Sequence, residues 1–146
     1  MRVERSIEIG APPDRVYQVV MDPRRLGEWV TIHVGLKSAP PGDLERGSQL
    51  VQCLRLAGRR FDVHWDVVAA DRPSHVVWEG RGPVNSRAKV VYEIHPHGDD
   101  RTGFHYMNEY TLPGGPLGRI AGGALRGIAE REAERTLERL KGLVER

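Results

Sequence analysis

With one cysteine, Cys53, the chain can form no internal disulfide, and this fits a reducing compartment. In a strand-like setting Cys53 reads as a small, partly buried hydrophobe rather than a nucleophile, because no acid–histidine pair is placed around it. No window approaches the roughly 18 apolar residues that cross a bilayer, and the amino terminus has no apolar signal core, so a cytoplasmic protein without a transmembrane segment is expected. Nor does one sign of charge dominate: 22 basic against 20 acidic residues give a net charge of +2. That balance supplies no electrostatic footprint for nucleic acid, and none is expected as a partner. Glycine-rich phosphate loops, a serine elbow and a Cys-x-x-Cys pair are all missing, which removes the motif-bearing enzyme classes. There is no repeat and no low-complexity linker. At 146 residues the expectation is one domain, 1–146, large enough to bury a core.

What is there begins with alternation. Val3, Ile7 and Ile9 set against Glu4, Ser6 and Glu8 read as a strand, which Ala11-Pro12-Pro13 stops. The prolines suit a first helical turn, and Asp14 suits the positive start of a helix. Val16, Tyr17 and Val20 share one helical face, and Asp22-Pro23 reads as the cap and first residue of a second short helix ending near Trp29. Period-two segments then recur at about 30–38, 48–56, 59–69, 74–80, 84–95 and 101–112, separated by short Gly, Pro or Asp breaks that favour hairpins. This predicts an antiparallel meander in which the first strand pairs with the last. From Pro116 to about Val144 an apolar stripe of Leu117, Ile120, Ala121, Ala124, Leu125, Ile128, Ala133, Leu137, Leu140 and Val144 predicts a long amphipathic helix, started by Gly114-Gly115-Pro116. Gly122-Gly123 is unusual in a helix interior. Close packing on the sheet is the simpler reading, and a hinge that lets the helix start gate a cavity is the functional one.

The opening segment, strand then Ala11-Pro12-Pro13-x-x-Val16 then Asp22-Pro23-x-x-Leu26-x-x-Trp29, resembles the START-like helix-grip superfamily (SRPBCC). The resemblance continues through Val76-Val77-Trp78-Glu79-Gly80-Arg81-Gly82-Pro83 and through Tyr106-x-Asn108-Glu109-Tyr110 to the final helix. Such sequences are called polyketide cyclase or dehydrase-like, a label covering lipid binders and aromatase/cyclases. The resemblance implies an α+β helix-grip fold: a seven-stranded curved antiparallel sheet wrapped around the C-terminal helix, with two short helices after the first strand and room for a ligand between sheet and helix.

Strand parity then assigns the faces. Phe61, Val63, Trp65 and Val67 fall inward while Asp62, His64 and Asp66 fall outward; Ser86, Ala88, Val90, Tyr92 and Ile94 fall inward, as do Phe104, Tyr106, Asn108, Tyr110 and Leu112. Gln52 joins Leu50, Leu54 and Leu56. If a bulge shifts the last strand, Glu109 replaces Asn108. Gln52, Phe61, Trp65, Ser86, Tyr92, Tyr106, Asn108 and Tyr110 are therefore the candidate ligand-binding residues, mostly aromatic walls with sparse hydroxyls and amides. Trp29 and residues 114–123 are expected near the mouth. Asp62-x-His64-x-Asp66 and His95-x-His97 read as solvated outer faces, so no metal and no cofactor are expected. His33 and His105 have no evident acidic partner. Polyketide aromatase/cyclases, by the resemblance, hold their substrate with a polar or basic pocket residue, but Arg55 and Arg87 fall outward and no catalytic residue can be assigned. Binding of a small hydrophobic or aromatic ligand (a lipid, isoprenoid or polyketide-like molecule) is the leading expectation. An aromatase/cyclase or dehydratase and a protein-interaction module, whose partner the sequence does not name, are the alternatives.

Overall fold

A computed structural model describes residues 1–111 and 115–146, with side chains at 1–111 and 123–146. Strand β1 (Arg2–Ile9) leads into helix α1 (Pro13–Val20), a 3-10 turn at Pro23–Arg25 and helix α2 (Leu26–Trp29). Strands β2 (His33–Ser38), β3 (Gln49–Leu56), β4 (Arg59–Asp71), β5 (His75–Arg81), β6 (Arg87–Pro96) and β7 (Thr102–Thr111) follow, and helix α3 (Gly115–Val144) ends the chain. All seven strands form one antiparallel sheet in the order β1-β7-β6-β5-β4-β3-β2. This is the expected helix-grip architecture, with the first strand paired to the last through Val3↔Asn108 and Ile9↔Thr102.

The order makes β1 and β2, consecutive in the chain, the two opposite edges of the sheet. Six strand spacings of about 4.8 Å separate them, roughly 29 Å in all, and residues 10–32 make the journey. Pro12 and Pro13 start α1, whose Val16, Tyr17, Val19 and Val20 are buried. Asp22 caps the next turn by accepting from the Arg24 amide at 3.1 Å, with Pro23 at its first position. The path ends by burying Leu26 and Trp29.

Bulges bend the sheet. The register of β4 shifts against β5 between Val67 and Ala69, which turns Val68 outward, and β2 carries two further shifts. Extra residues of this kind increase local twist and curl a sheet. Gly80 serves the same curvature. It lies opposite Trp65, and a Cβ on it would stand 2.6 Å from Trp65 Cε3 and 2.7 Å from Val63 Cγ1, so the indole covers the space left by the missing side chain.

Helix α3 fills the concave side with Ala129, Ala133, Thr136, Leu137, Leu140, Leu143 and Val144. The buried stripe is displaced from the expected one: Ala124 is exposed, and Leu125 and Ile128 are only half-covered. Periodicity gives the face of a helix but not how far along it the sheet reaches. Leu112, Gly114 and the side chains of 115–122 lie outside the described residues, and so does the expected gate. At Gly123 an added Cβ meets no described atom within 4 Å, so close packing does not require that glycine. No helix is long and apolar enough to cross a membrane among the described residues.

Gly80→Ala is expected to destabilise the protein by about 1–3 kcal/mol, the usual penalty for overpacking a filled core. Gly103→Ala should be nearly neutral, because the atoms met there belong to the exposed His97 ring, which can swing aside. Urea unfolding of the two variants beside the parent checks the contrast; equal losses would refute the covering role of Trp65.

Candidate functional site

Direct register brings Tyr92 of β6 and Tyr106 of β7 together, with ring centroids 5.8 Å apart and planes 24° from parallel. Trp29 lies across both, 5.9 Å from Tyr92 and 6.4 Å from Tyr106. Phe104 continues the cluster on one side, and Trp78 and Trp65 on the other, at centroid distances of 5.5 to 5.8 Å. The aromatic residues expected to wall a cavity thus pack on one another. Trp29 does not sit at a mouth: it is fully buried at the centre of the cluster.

Beside this cluster a narrow cavity of about 10 Å³ remains, bounded by Val3, Tyr106, Asn108 and Tyr110 of the sheet and by Ala129, Ala133 and Thr136 of α3. Space on this scale accommodates roughly one water molecule. Its polar end is made of inward residues of β7, and Asn108, not Glu109, points there, because β7 pairs with both neighbours without a bulge. Asn108 Nδ2 donates to the Tyr106 hydroxyl at 2.9 Å. Among the described residues its Oδ1 has no partner, although the residue is only 8% exposed. Turning the amide over would leave Nδ2 unpartnered instead, so one amide atom is unsatisfied in either orientation. Burial holds the Tyr106 phenol protonated, pushing it up to about 12 against a lowering by the Asn108 hydrogen bond. Tyr110 and Tyr92 are also pushed up, by burial first and then by the neighbouring phenols. The arrangement offers a phenolic donor and an amide acceptor side by side in a site of low polarity.

Ile32, Leu56 and Glu132 border this cavity and also line an open groove of about 470 Å³ next to it. The groove runs between the start of β2, the β3–β4 hairpin and Ile128 of α3. His33 is one wall, and it is the residue that strand parity passes over. Trp65 Nε1 donates to Gln52 Oε1 at 2.9 Å, and Gln52 Nε2 lies 2.8 Å from His33 Nδ1. An indole N–H can only donate, so it fixes the Gln52 amide with Nε2 toward the histidine, and His33 Nδ1 must accept. The ring is therefore neutral with its proton on Nε2. Burial acts in the same direction, holding the imidazole below the ordinary histidine range. Among the described residues no acidic partner reaches His33; an amide from the next strand takes its place.

The eight candidates divide accordingly. Tyr106, Asn108 and Tyr110 reach the cavity, Tyr92 supports it from beneath, and Gln52 and Trp65 orient His33. Phe61 is half-buried against the core and borders neither space. Ser86 borders neither space: it lies just before β6, after Val84 and Asn85 take positive φ of 56° and 58° in a 3-10 turn, and its side chain lies against Gly82. Arg5 occupies an inward-parity position that alternation alone does not flag, but Glu130 and Glu134 of α3 hold it at 2.8 and 3.2 Å. On the outer face Asp62 pairs with Lys37 at 2.7 Å, and Glu4 lies 3.5 Å from His105. Among the described residues no group of three or more His, Cys, Asp or Glu gathers as a metal site.

A family model described as polyketide cyclase / dehydrase and lipid transport matches residues 1–145. The chain belongs to this family. Among curated relatives, an uncharacterised protein of Mycobacterium tuberculosis is 31% identical over 137 residues, 93% of this chain and 96% of that one. A second protein of that organism, named as a toxin, is 27% identical over 127 residues, 86% and 88% of the two chains. Among solved structures, a START superfamily protein from Mycobacterium smegmatis superposes with a TM-score of 0.72 at 20% identity, covering 99% of this chain and 97% of that one. An aromatase/cyclase from Streptomyces gives 0.71 at 17% identity, covering 100% and 94%. At these identities the structures establish the START-like fold of this family member.

Gln52→Glu is expected to reverse the titration of His33. The carboxylate can only accept, so Nδ1 must become the donor and the imidazole pKa should move from below the ordinary value of about 6.5 to above it. In the parent, the unfolded chain binds the proton more readily, so stability is complete above the ordinary histidine pKa and falls as pH drops through it; in the variant the sign inverts. Imidazole shifts followed by NMR between about pH 5 and 8, with denaturation at both ends, check this. An unmoved His33 would show that the amide does not set its state.

Proposed function

We propose that this protein binds a small hydrophobic or aromatic molecule, of the lipid, isoprenoid or polyketide-like kind, between the concave sheet and α3. The observation that carries this is Asn108: a buried amide with an atom unpartnered among the described residues, beside a protonated phenol, in a small cavity that shares Ile32, Leu56 and Glu132 with a groove of ligand size. An unsatisfied buried polar group costs about 1–3 kcal/mol; a ligand hydroxyl would donate to Asn108 Oδ1, and a ligand carbonyl would accept from Nδ2 of the turned amide. Ligand pockets commonly span about 300–1,000 Å³, a range that includes the groove. The inner cavity is far smaller, so binding requires α3 to part from β7 around Ala129 and Ala133, whose small side chains face Tyr106 and Asn108. Leu125 and Ile128, left half-covered, provide apolar surface toward the same end of the helix.

Aromatase/cyclase chemistry on the same site is the extension that the family description and the Streptomyces neighbour support. Tyr106 and Asn108 would then orient and polarise carbonyls, work that needs positioning and hydrogen-bond donors rather than a strong base. The packed aromatic cluster favours a different reading, in which the chain acts through protein contacts. Against it, the large apolar side chains that stand exposed among the described residues, Val34, Val68 and Val84, lie at separate places in the chain.

Native mass spectrometry of the purified protein, beside the denatured spectrum, should show a small non-covalent adduct. Asn108→Leu should weaken that adduct at least about tenfold, the effect of losing roughly 1.4 kcal/mol of hydrogen bonding. The same substitution removes the unpaired amide atom but also the hydrogen bond to the Tyr106 hydroxyl, so the two effects offset and the ligand-free melting temperature should change little. No adduct, together with no thermal shift from fatty acids, isoprenoids and aromatic polyketides, would transfer the reading to protein contacts.

A further inference from the structure

The β3–β4 hairpin turns through Ala57 and Gly58, whose φ values of 52° and 79° are the positive pair that a tight two-residue turn demands. Ala57 accepts a conformation that side chains disfavour, and the turn thereby fixes the register behind it. That register sets Arg55 directly opposite Arg60. Like charges facing each other across a strand pair are destabilising, and the usual relief is a carboxylate between them. Here the nearby carboxylates are engaged elsewhere: Asp62, two residues on from Arg60, is held by Lys37 at 2.7 Å, and Glu132 on the far wall of the groove is held by Arg135 at 3.3 Å. Among the described residues neither Arg55 nor Arg60 has a salt-bridge partner, while both line the groove.

Resting on the ligand-binding reading above, we infer that the ligand is an amphiphile with an oxyanion head, and that Arg55 and Arg60 at the rim of the groove hold that head. Two guanidinium forks approaching from adjacent strands match the two oxygens of a carboxylate or the three of a phosphate monoester. The strand-to-strand distance of about 5 Å lets both reach one small anion. From there Ile32, Leu56 and Ile128 provide an apolar path inward toward Tyr106 and Asn108. Parity sends Arg55 to the outer face, where it would serve only solvation. At the hairpin end the groove lies alongside that face, and the residue lines it.

The test compares three ten-carbon probes, decanoate, decyl phosphate and decanol, by calorimetry against the full chain and against Arg55→Gln/Arg60→Gln. At least one anion should bind the parent about tenfold or more tightly than decanol, as charge-assisted hydrogen bonds outweigh neutral ones. In the double variant that preference should fall to within about twofold while decanol binding stays unchanged. Arg55→Lys/Arg60→Lys, which keeps both charges without the forks, should retain part of the preference and confirms that the hairpin tolerates substitution. Whether decanoate or decyl phosphate leads distinguishes the two kinds of head. Decanol binding as tightly as both anions, or a preference that survives the double Gln variant, overturns the head-group assignment alone. Failure of all three probes to bind overturns it together with the ligand-binding reading.

Discussion

The fold depends on the burial of one side chain, Trp29, against Tyr92 and Tyr106. It is the last residue of α2, and so marks the end of the long traverse from one sheet edge toward the other. The Asp22 cap and Pro23 set the angle at which α2 arrives, and the indole then anchors that arrival in the middle of β6 and β7. Two residues later the chain is tied to α3: the Thr31 amide donates to Thr136 Oγ1 at 3.1 Å, and the Thr31 hydroxyl donates to the Glu132 carbonyl at 3.2 Å. Sheet, traverse and helix are thus fastened within a few residues of one tryptophan. Truncating such a residue typically costs about 3–5 kcal/mol, a large part of the about 5–15 kcal/mol by which domains are stable.

The same cluster shows what the sequence could and could not convey. Strand parity identified the inward faces because the strands bury chiefly one side, and it turned Asn108 inward because β7 has no bulge to displace it. Depth was not legible. Trp29 reads equally well as a lid or as a central plug, and the difference lies in how far α2 descends onto the sheet. The turn before Ser86 was not legible either, because alternation continues through 84–86 while the backbone takes positive φ at Val84 and Asn85. His33 was missed because its partner is an amide one strand away, oriented in turn by an indole on a third strand. Chains of neutral hydrogen bonds leave no charge pattern for a sequence to show.

Within the core, Asn108 Oδ1, Trp29 Nε1 and Trp78 Nε1 are all buried without partners among the described residues. A core selected for stability alone satisfies or replaces such groups. Around Asn108 the remedy is structurally simple, since Val3 lies opposite it in register and Val90 on the other side, both apolar and of similar size. The retained amide sets this corner apart from the rest of the sheet. Small residues of α3 face it, and the half-covered start of the described helix surface lies beyond, so unused hydrogen-bonding capacity here adjoins a thinly covered part of the helix.

The pairing of β1 with β7 has a consequence for how the molecule is made. Met1 and Tyr110 exchange backbone hydrogen bonds across a separation of 109 residues, at 2.8 and 2.7 Å. During synthesis β1 therefore leaves the ribosome long before its partner exists. The β2-to-β7 meander can assemble hairpin by hairpin in the meantime, because each strand pairs with the one just made. Contacts of such long range slow folding and prolong exposure of unpaired edges. In β1 the residues that face outward during that wait are Arg2, Glu4, Ser6 and Glu8, charged or polar side chains that discourage pairing with another nascent chain.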